Sequence, residues 1–348
     1  MPNPATPNST PAHHTSDGRF HVTWDRPSLE RGGGMLRWMW DRFRHPPKPN
    51  PPSAAFPRAE PKVVRPAAPA DELHITWVGH ASFLVQIGGL NVLTDPMWGE
   101  RASPFAWIGP RRVTEPGISF DALPPIDAVV ISHDHYDHLD ESTIRRLVAA
   151  FGERVTWITP LRYRSWLKER GADRVVELDW WQQVTVEAGA ENAAVTFTCS
   201  PCQHWTRRRT KARTRLWSAW TLRAGPTGPA VYFGGDSGYF PGYPEVAERT
   251  GPFDAVLLPI GAYEPRWFMR TSHMNPEEAV QAYQDLGGDG LFVGMHWATF
   301  RLTDEPMLEP PQRTRAAWEA VGLQPERLWI PAVGETRTVV GTRRPAQL

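Results

Sequence analysis

The stretch Ile131-Ser132-His133-Asp134-His135-Tyr136-Asp137-His138-Leu139-Asp140 constrains this chain more than any other. It follows an apolar run, Ile126-Asp127-Ala128-Val129-Val130, that reads as a buried strand, and a helix is predicted from Glu141 to Phe151 just behind it. In an extended or tightly turning segment, residues two apart project to the same side. His133 and His135 can therefore grip one ion from one face, while Asp137 and His138 reach a second ion beside it. Imidazole suits zinc, and a carboxylate suits zinc, iron or manganese. Any fold proposed for the chain must keep this loop at the end of a buried strand.

The 348 residues are enough for one large domain or two modest ones. Lys+Arg 38 balance Asp+Glu 38, so no global field selects nucleic acid or a membrane. Cys199 and Cys202 form a lone C-x-x-C, which cannot make a zinc ribbon or staple a chain of this size. They read as partly buried structural thiols in a reducing compartment. The N-terminus is rich in Pro, Asn and Thr with no apolar core of a signal peptide, and no run of eighteen apolar residues occurs. The expected location is cytoplasmic, free or resting on the inner leaflet.

Residues 1–18 are expected to be disordered, being proline-rich and without periodicity. Residues 19–70 read as an N-terminal arm. Within it Leu36, Met39, Trp40 and Phe43 fall on one helical face, with Arg37, Asp41 and Arg44 off it. Such a helix docks on its own protein or, with Trp and Arg beside an apolar stripe, lies in a headgroup boundary. A proline-rich strap from Pro46 to Pro69 ends the arm. Residues 71–348 read as the catalytic domain. Its strands at Leu73-Val78, Phe83-Ile87 and Asn91-Thr94 are joined by tight turns at Gly79-His80 and Gly88-Gly89. Strand and helix then alternate, with a helix predicted over Leu161-Arg170. A strand group follows (Gln183-Val186, Ala194-Thr198, Leu216-Leu222, Ala230-Phe233), and alternation resumes to Leu328-Ile330. Two β-rich blocks, each followed by alternation, predict an α/β (α+β) chain with two sheets face to face and helices outside.

Further chemistry-bearing residues share one local pattern, an apolar strand that runs out at a His or Asp. Asp95, His204, Asp236 and His296 all stand there, and strand ends of a rigid sheet are the usual seat of a site. The order Asp95, His133-x-His135-x-Asp137-His138, His204, Asp236, His296 resembles the five motifs of the metallo-β-lactamase superfamily. Closer similarity is to its branch of N-acylphosphatidylethanolamine-hydrolysing phospholipases D. The phrases that carry it are Gly79-His80-Ala81-Ser82, Leu93-Thr94-Asp95-Pro96, Arg101-Ala102-Ser103-Pro104, Leu123 to Val129, Pro201-Cys202-Gln203-His204-Trp205, Gly235-Asp236-Ser237-Gly238-Tyr239, Arg266-Trp267-Phe268-Met269 and His296-Trp297.

The resemblance implies a four-layer αββα sandwich and a zinc-dependent phosphodiesterase that releases phosphatidic acid and an N-acylethanolamine. It also implies one zinc on His133, His135 and His204 and another on Asp137, His138 and His296, with Asp236 bridging and a water shared between the ions. Asp95 is read apart from the ligands, accepting an imidazole N–H and fixing a ligand's tautomer. His273 corresponds to a histidine that acts near the leaving group, and is expected to be exposed and to titrate near neutrality. Ser272 stands where the family has glutamine, which leaves headgroup specificity open. Tyr136 is a candidate for a phosphoryl contact or for filling space under the loop, and His80 borders the site. The basic run Thr206 to Arg215 reads as a solvated loop that draws anionic headgroups. Nucleic acid is disfavoured as a partner because aromatics only flank that run. A phospholipid, a membrane surface and, by resemblance, a second copy of the chain are the expected partners. Rival readings keep the metals in a lactonase or soluble phosphodiesterase, or make them a structural brace in a binding protein.

Overall fold

A computed structural model describes residues 10–25, 34–47, 49–105, 107–187, 193–208 and 211–339. The first sheet begins as an antiparallel meander of β1 (Leu73–Gly79), β2 (Ser82–Ile87) and β3 (Leu90–Thr94), continued in parallel by β4 (Ala128–Val130), β5 (Thr156–Pro160) and β6 (Val175–Leu178). The second holds β7 (Gln183–Glu187), β8 (Ala194–Ser200), β11 (Ala219–Ala224), β12 (Ala230–Phe233), β13 (Ala255–Pro259), β14 (Leu291–Met295) and β15 (Leu328–Trp329), in reverse spatial order. A small hairpin, β9 (Arg207–Arg208) and β10 (Lys211–Ala212), stands apart. The last strand, β16 (Thr336–Val339), returns to pair with β1, so the sheets have seven strands each among the described residues.

Burial on both faces explains why these strands are near-continuous apolar runs. From the first sheet Ile75, Trp77, Phe83, Val85 and Val130 point toward Phe197, Trp220, Leu222 and Phe233 of the second, forming the inter-sheet core. The alternate residues Val78, Leu84, Leu93, Val129 and Trp157 pack outward on Ile144 and Leu147 of helix α2 (Glu141–Phe151). The outer side of the second sheet is covered by α4 (Tyr243–Thr250), α6 (Pro276–Asp285) and α7 (Glu309–Ala320), which bury Tyr243, Tyr283 and Trp318. This is the expected αββα sandwich. Helix α1 (Gly34–Arg44) precedes it, and two short helices, α3 (Arg164–Lys168) and α5 (Arg266–Met269), complete the set among the described residues.

Three expectations change. Residues 10–18 are folded against the domain rather than disordered: His13 is buried, and the segment turns back through backbone pairing of His14 with Phe20. Residues 1–9 lie outside the described residues. The helix expected over Leu161-Arg170 shortens to α3 because Arg162 takes a positive φ and the Glu177 carboxylate accepts from the N–H groups of Tyr163 and Arg164. Strand β11 starts at Ala219 rather than Leu216, since Ser218 N–H donates to Ser132 C=O and the preceding residues cross between the sheets. Helix α4, opening on Pro244 near its start, had no expectation attached.

Candidate metal centre

Every predicted ligand is delivered by a strand that ends at the same rim. β3 runs out at Asp95 and its parallel neighbour β4 leads into the loop from Ile131 to Asp140; β8, β12 and β14 lead to His204, Asp236 and His296. The loop is held at its far end by Asp140, whose carboxylate accepts from the Ser142 and Thr143 N–H groups and caps α2. It is braced from outside by Arg208, which donates to the carbonyls of Asp134 and Leu139, and by the Arg215–Asp134 ion pair at 3.2 Å.

The side chains converge in two groups, each with its ligand atoms within 4.8 Å of one another. One is His133, His135, His204 and Asp236; the other is His80, Asp137, His138 and His296. Asp236 lies between them. Its Oδ2 is 3.2 Å from His138 Nε2 and 3.8 Å from His133 Nε2, and its Oδ1 is 3.0 Å from His296 Nε2. The ring nitrogens crowd together: His133 Nε2 is 2.9 Å from His135 Nδ1, and His138 Nε2 is 3.2 Å from His296 Nε2.

The outer hydrogen bonds fix which nitrogen faces inward. Asp95 Oδ2 accepts from His138 Nδ1 at 2.7 Å, leaving the His138 Nε2 lone pair for the centre. The same carboxylate accepts from Ser132 N–H and Oγ–H, so Ser132 Oγ is free to accept from His133 Nδ1 at 2.9 Å. His204 Nδ1 donates to the Ser272 carbonyl at 2.9 Å. In each ring the proton sits on the outer nitrogen, the arrangement metal-ligating histidines need. Asp95 lies behind the ring nitrogens that face inward.

This arrangement fits divalent metal ions on two grounds. The donors are imidazole nitrogens and carboxylate oxygens, the set that suits zinc and its neighbours. Inward-facing ring nitrogens crowd together at 2.9 Å (His133 Nε2 to His135 Nδ1) and 3.2 Å (His138 Nε2 to His296 Nε2), and such buried facing lone pairs require compensation. Without a cation the electrostatics are strained in both directions. Burial opposes charge on His138, yet the carboxylates of Asp236 and Asp137 outweigh it and push its pKa well up. The same contest brings His296 up to about 9. Burial, helped by the neighbouring His138 and His204, holds His133 well below the usual imidazole value. Asp236 is held well below the carboxylate range: burial alone would raise it, but His138, His296 and His273 prevail.

Four site readings need adjustment. His80 does more than border the site: its Nε2 lies 2.9 Å from Asp137 Oδ2, inside the second group. It obeys the same strand-end pattern as the ligands, at the end of β1 with a positive φ of 56°, and that pattern could have found it. His273 is not exposed. Its side chain is 14% accessible, its Nδ1 is 3.9 Å from Asp236 Oδ2, and burial pushes its pKa down to about 4 rather than leaving it near neutrality. Tyr136 is half-buried beneath the Arg208 guanidinium, 4.3 Å from its ring centroid, which favours the space-filling reading. The basic run is not wholly solvated, because Arg208 and Arg215 are committed to the loop; Arg207 is exposed, and Arg209 and Thr210 lie outside the described residues.

The chain belongs to the metallo-β-lactamase superfamily: residues 90–297 match the beta-lactamase superfamily domain. It is a member of a family of metal-dependent hydrolases. Among its relatives, an uncharacterized protein of Mycobacterium tuberculosis is 43% identical over 77% of this chain and 69% of its own length. The N-acyl-phosphatidylethanolamine-hydrolyzing phospholipase D 1 of Caenorhabditis elegans is 36% identical over 72% of this chain and 73% of its own. Of solved structures, the metallo hydrolase Igni18 of Ignicoccus hospitalis superposes with a TM-score of 0.55 at 19% identity, over 77% of this chain and 98% of its own. It shares the fold.

Asp95→Asn tests the outer support. The His138 tautomer loses its fixed acceptor, and metal affinity should fall by roughly 10–100-fold with folding retained. Equilibrium zinc competition against a chromophoric chelator measures this; unchanged affinity would show that Asp95 serves the fold alone.

Proposed function

We propose that the chain is a phosphodiesterase of phospholipase D type with two zinc ions, hydrolysing N-acylphosphatidylethanolamine to phosphatidic acid and an N-acylethanolamine. The observation that carries this is the position of Asp236 between two groups of ligand atoms, in a chain similar to a phospholipase of that name. His133, His135 and His204 would hold one ion and Asp137, His138 and His296 the other, with Asp236 placed beside both groups. Paired cations supply Lewis acidity toward a phosphoryl group and make water a nucleophile at neutral pH.

The chain's own residues do the rest. Asp95 and Ser132 keep ligand protons on the outer nitrogens, and the buried rim excludes bulk water. His273, neutral at pH 7 by its depressed pKa, lies with Nδ1 3.9 Å from Asp236 Oδ2. A neutral imidazole there holds the departing oxygen by an N–H rather than by delivering charge. Ser272 presents its carbonyl to His204, so its side chain is the smaller group where the family has glutamine.

Helix α1 supports a lipid surface as the place of work. One face is tied down: Trp38 Nε1 donates to Asp304 at 2.6 Å, Arg42 pairs with Asp304 at 3.2 Å, and Arg37 lies over Trp267. The other presents Leu36, Trp40 and Phe43, at 78%, 58% and 79% exposure. Among the described residues no helix is long and apolar enough to cross a membrane. An interfacial helix buries such a face at the headgroup boundary. With zinc-loaded protein on vesicles containing N-acylphosphatidylethanolamine, release of the N-acylethanolamine is expected. The triple variant Leu36→Gln, Trp40→Gln, Phe43→Ser should lose roughly ten-fold or more of vesicle binding, since about 25 cal/mol is forgone per Å² of apolar surface. It should keep turnover of detergent-dispersed lipid. No turnover of any phospholipid by fully loaded protein rejects the reading in favour of a lactonase or soluble phosphodiesterase.

A further inference from the structure

Another group of ligand side chains lies outside this centre. His13 and His14, from the N-terminal segment, both aim Nε2 at the carboxylate of Asp179, at 2.6 Å to Oδ1 and 2.8 Å to Oδ2. Asp179 sits on the crossover between β6 and β7, where the chain leaves one sheet for the other. The three side chains are 9%, 21% and 11% accessible, so the group is nearly closed with one open side at His14.

The rings are held rigidly. His13 stacks on Trp180 at 4.3 Å between centroids, and His14 meets Phe20 edge-on at 5.0 Å. The backbone is fixed as well, with His14 N–H donating to Pro11 C=O and His21 N–H to His13 C=O. On the other side, Asp179 N–H donates to Gln182 Oε1, and Trp180 N–H donates to Asp179 Oδ1. All three ligand atoms lie within 4.8 Å of one another.

We propose that His13, His14 and Asp179 form an additional divalent transition-metal site, with zinc the fitting ion, that clasps the N-terminal segment to the junction of the two sheets. Two imidazoles and a carboxylate with an open side are a zinc-type donor set, the open side taking water. Bonds of about 2.0–2.2 Å from one ion would set the ligand atoms roughly 3.3 Å apart. The present spacings must therefore open by about 0.7 Å at His13 and about 0.5 Å at His14, through small rotations of the Asp179 carboxylate and the His14 ring. Each imidazole then carries its proton on Nδ1 and gives Nε2 to the ion. Binding also has a consequence along the segment. Trp24 stacks on Phe240 and donates from Nε1 to Gln203 Oε1 at 2.9 Å, and Gln203 precedes His204. Occupancy thus tightens a strap that reaches the neighbour of a candidate ligand.

The test is zinc stoichiometry and affinity of the full-length protein, equilibrated with excess zinc, desalted and measured by mass spectrometry. Asp179→Asn and the double variant His13→Gln, His14→Gln should each carry one equivalent less than wild type. His14→Gln alone, at the accessible side chain, should weaken that equivalent by roughly ten-fold or more without disturbing the fold. In unmodified protein, cobalt titration should produce paramagnetically shifted imidazole resonances from His13 and His14. Equal zinc counts in wild type and variants, or no shifted resonance from either ring, overturn the site and leave a pair of hydrogen bonds to one carboxylate.

Discussion

Asp236→Asn should lower turnover at least about 10³-fold, equivalent to roughly 4 kcal/mol of lost transition-state stabilisation, while the far-ultraviolet circular dichroism stays unchanged. The reason is position. Asp236 is the carboxylate that approaches both ligand groups, with Oδ2 3.8 Å from His133 Nε2 and Oδ1 3.0 Å from His296 Nε2. An amide of the same shape keeps the packing but removes the negative charge that offsets bound metal. Metal content should fall with activity. A variant that keeps its fold and a tenth or more of its activity would exclude Asp236 from the reaction and would favour metal as a structural brace.

Stripping the metal should reverse the pH dependence of stability. His296 is brought up to about 9 and His138 well up, in both cases because Asp236 and Asp137 outweigh burial. Groups whose pKa is raised on folding stabilise fully below their ordinary value near 6.5 and lose that contribution as pH rises through the folded value. The metal-free protein should therefore melt at falling temperature between about pH 7 and 9.5. In the loaded protein an ion replaces those protons, and its affinity grows as the ligands deprotonate. Its melting temperature should hold or rise over the same window. His133 and His204, pushed down by burial, act on the acid side and do not disturb this comparison. Thermal scans with and without chelator decide it; parallel curves would mean that these histidines do not hold the ion.

Most candidate ligands of the centre are legible because one rule places them, though His80, which obeys it too, reads from sequence only as a neighbour of the site. A strand that ends in His or Asp puts that side chain at the rim of a rigid sheet, and neighbouring parallel strands end at the same rim. The αββα layering followed from the two β-rich blocks. What escaped depended on contacts between distant segments. His273 looks exposed in its loop, but the approach of Asp236 and His296 buries it. Residues 10–18 look disordered by composition, but Asp179 supplies partners for His13 and His14 from far along the chain. Arg208 reads as a solvated charge until the carbonyls of the loop are seen beneath it. Local pattern carries periodicity and strand ends; it carries no information on which remote carboxylate a side chain will meet.

The pairing of β16 with β1 sets the order in which the molecule can be finished. Leu73 and Ile75 lie on an edge that closes only when Val339 and Arg337 come alongside, after the whole second sheet has been made. During synthesis on a ribosome, that flank stays uncovered until residues 336–339 have emerged. Premature termination beyond His296 would leave every candidate ligand in place and still yield an unsealed edge, open to pairing with a stray strand.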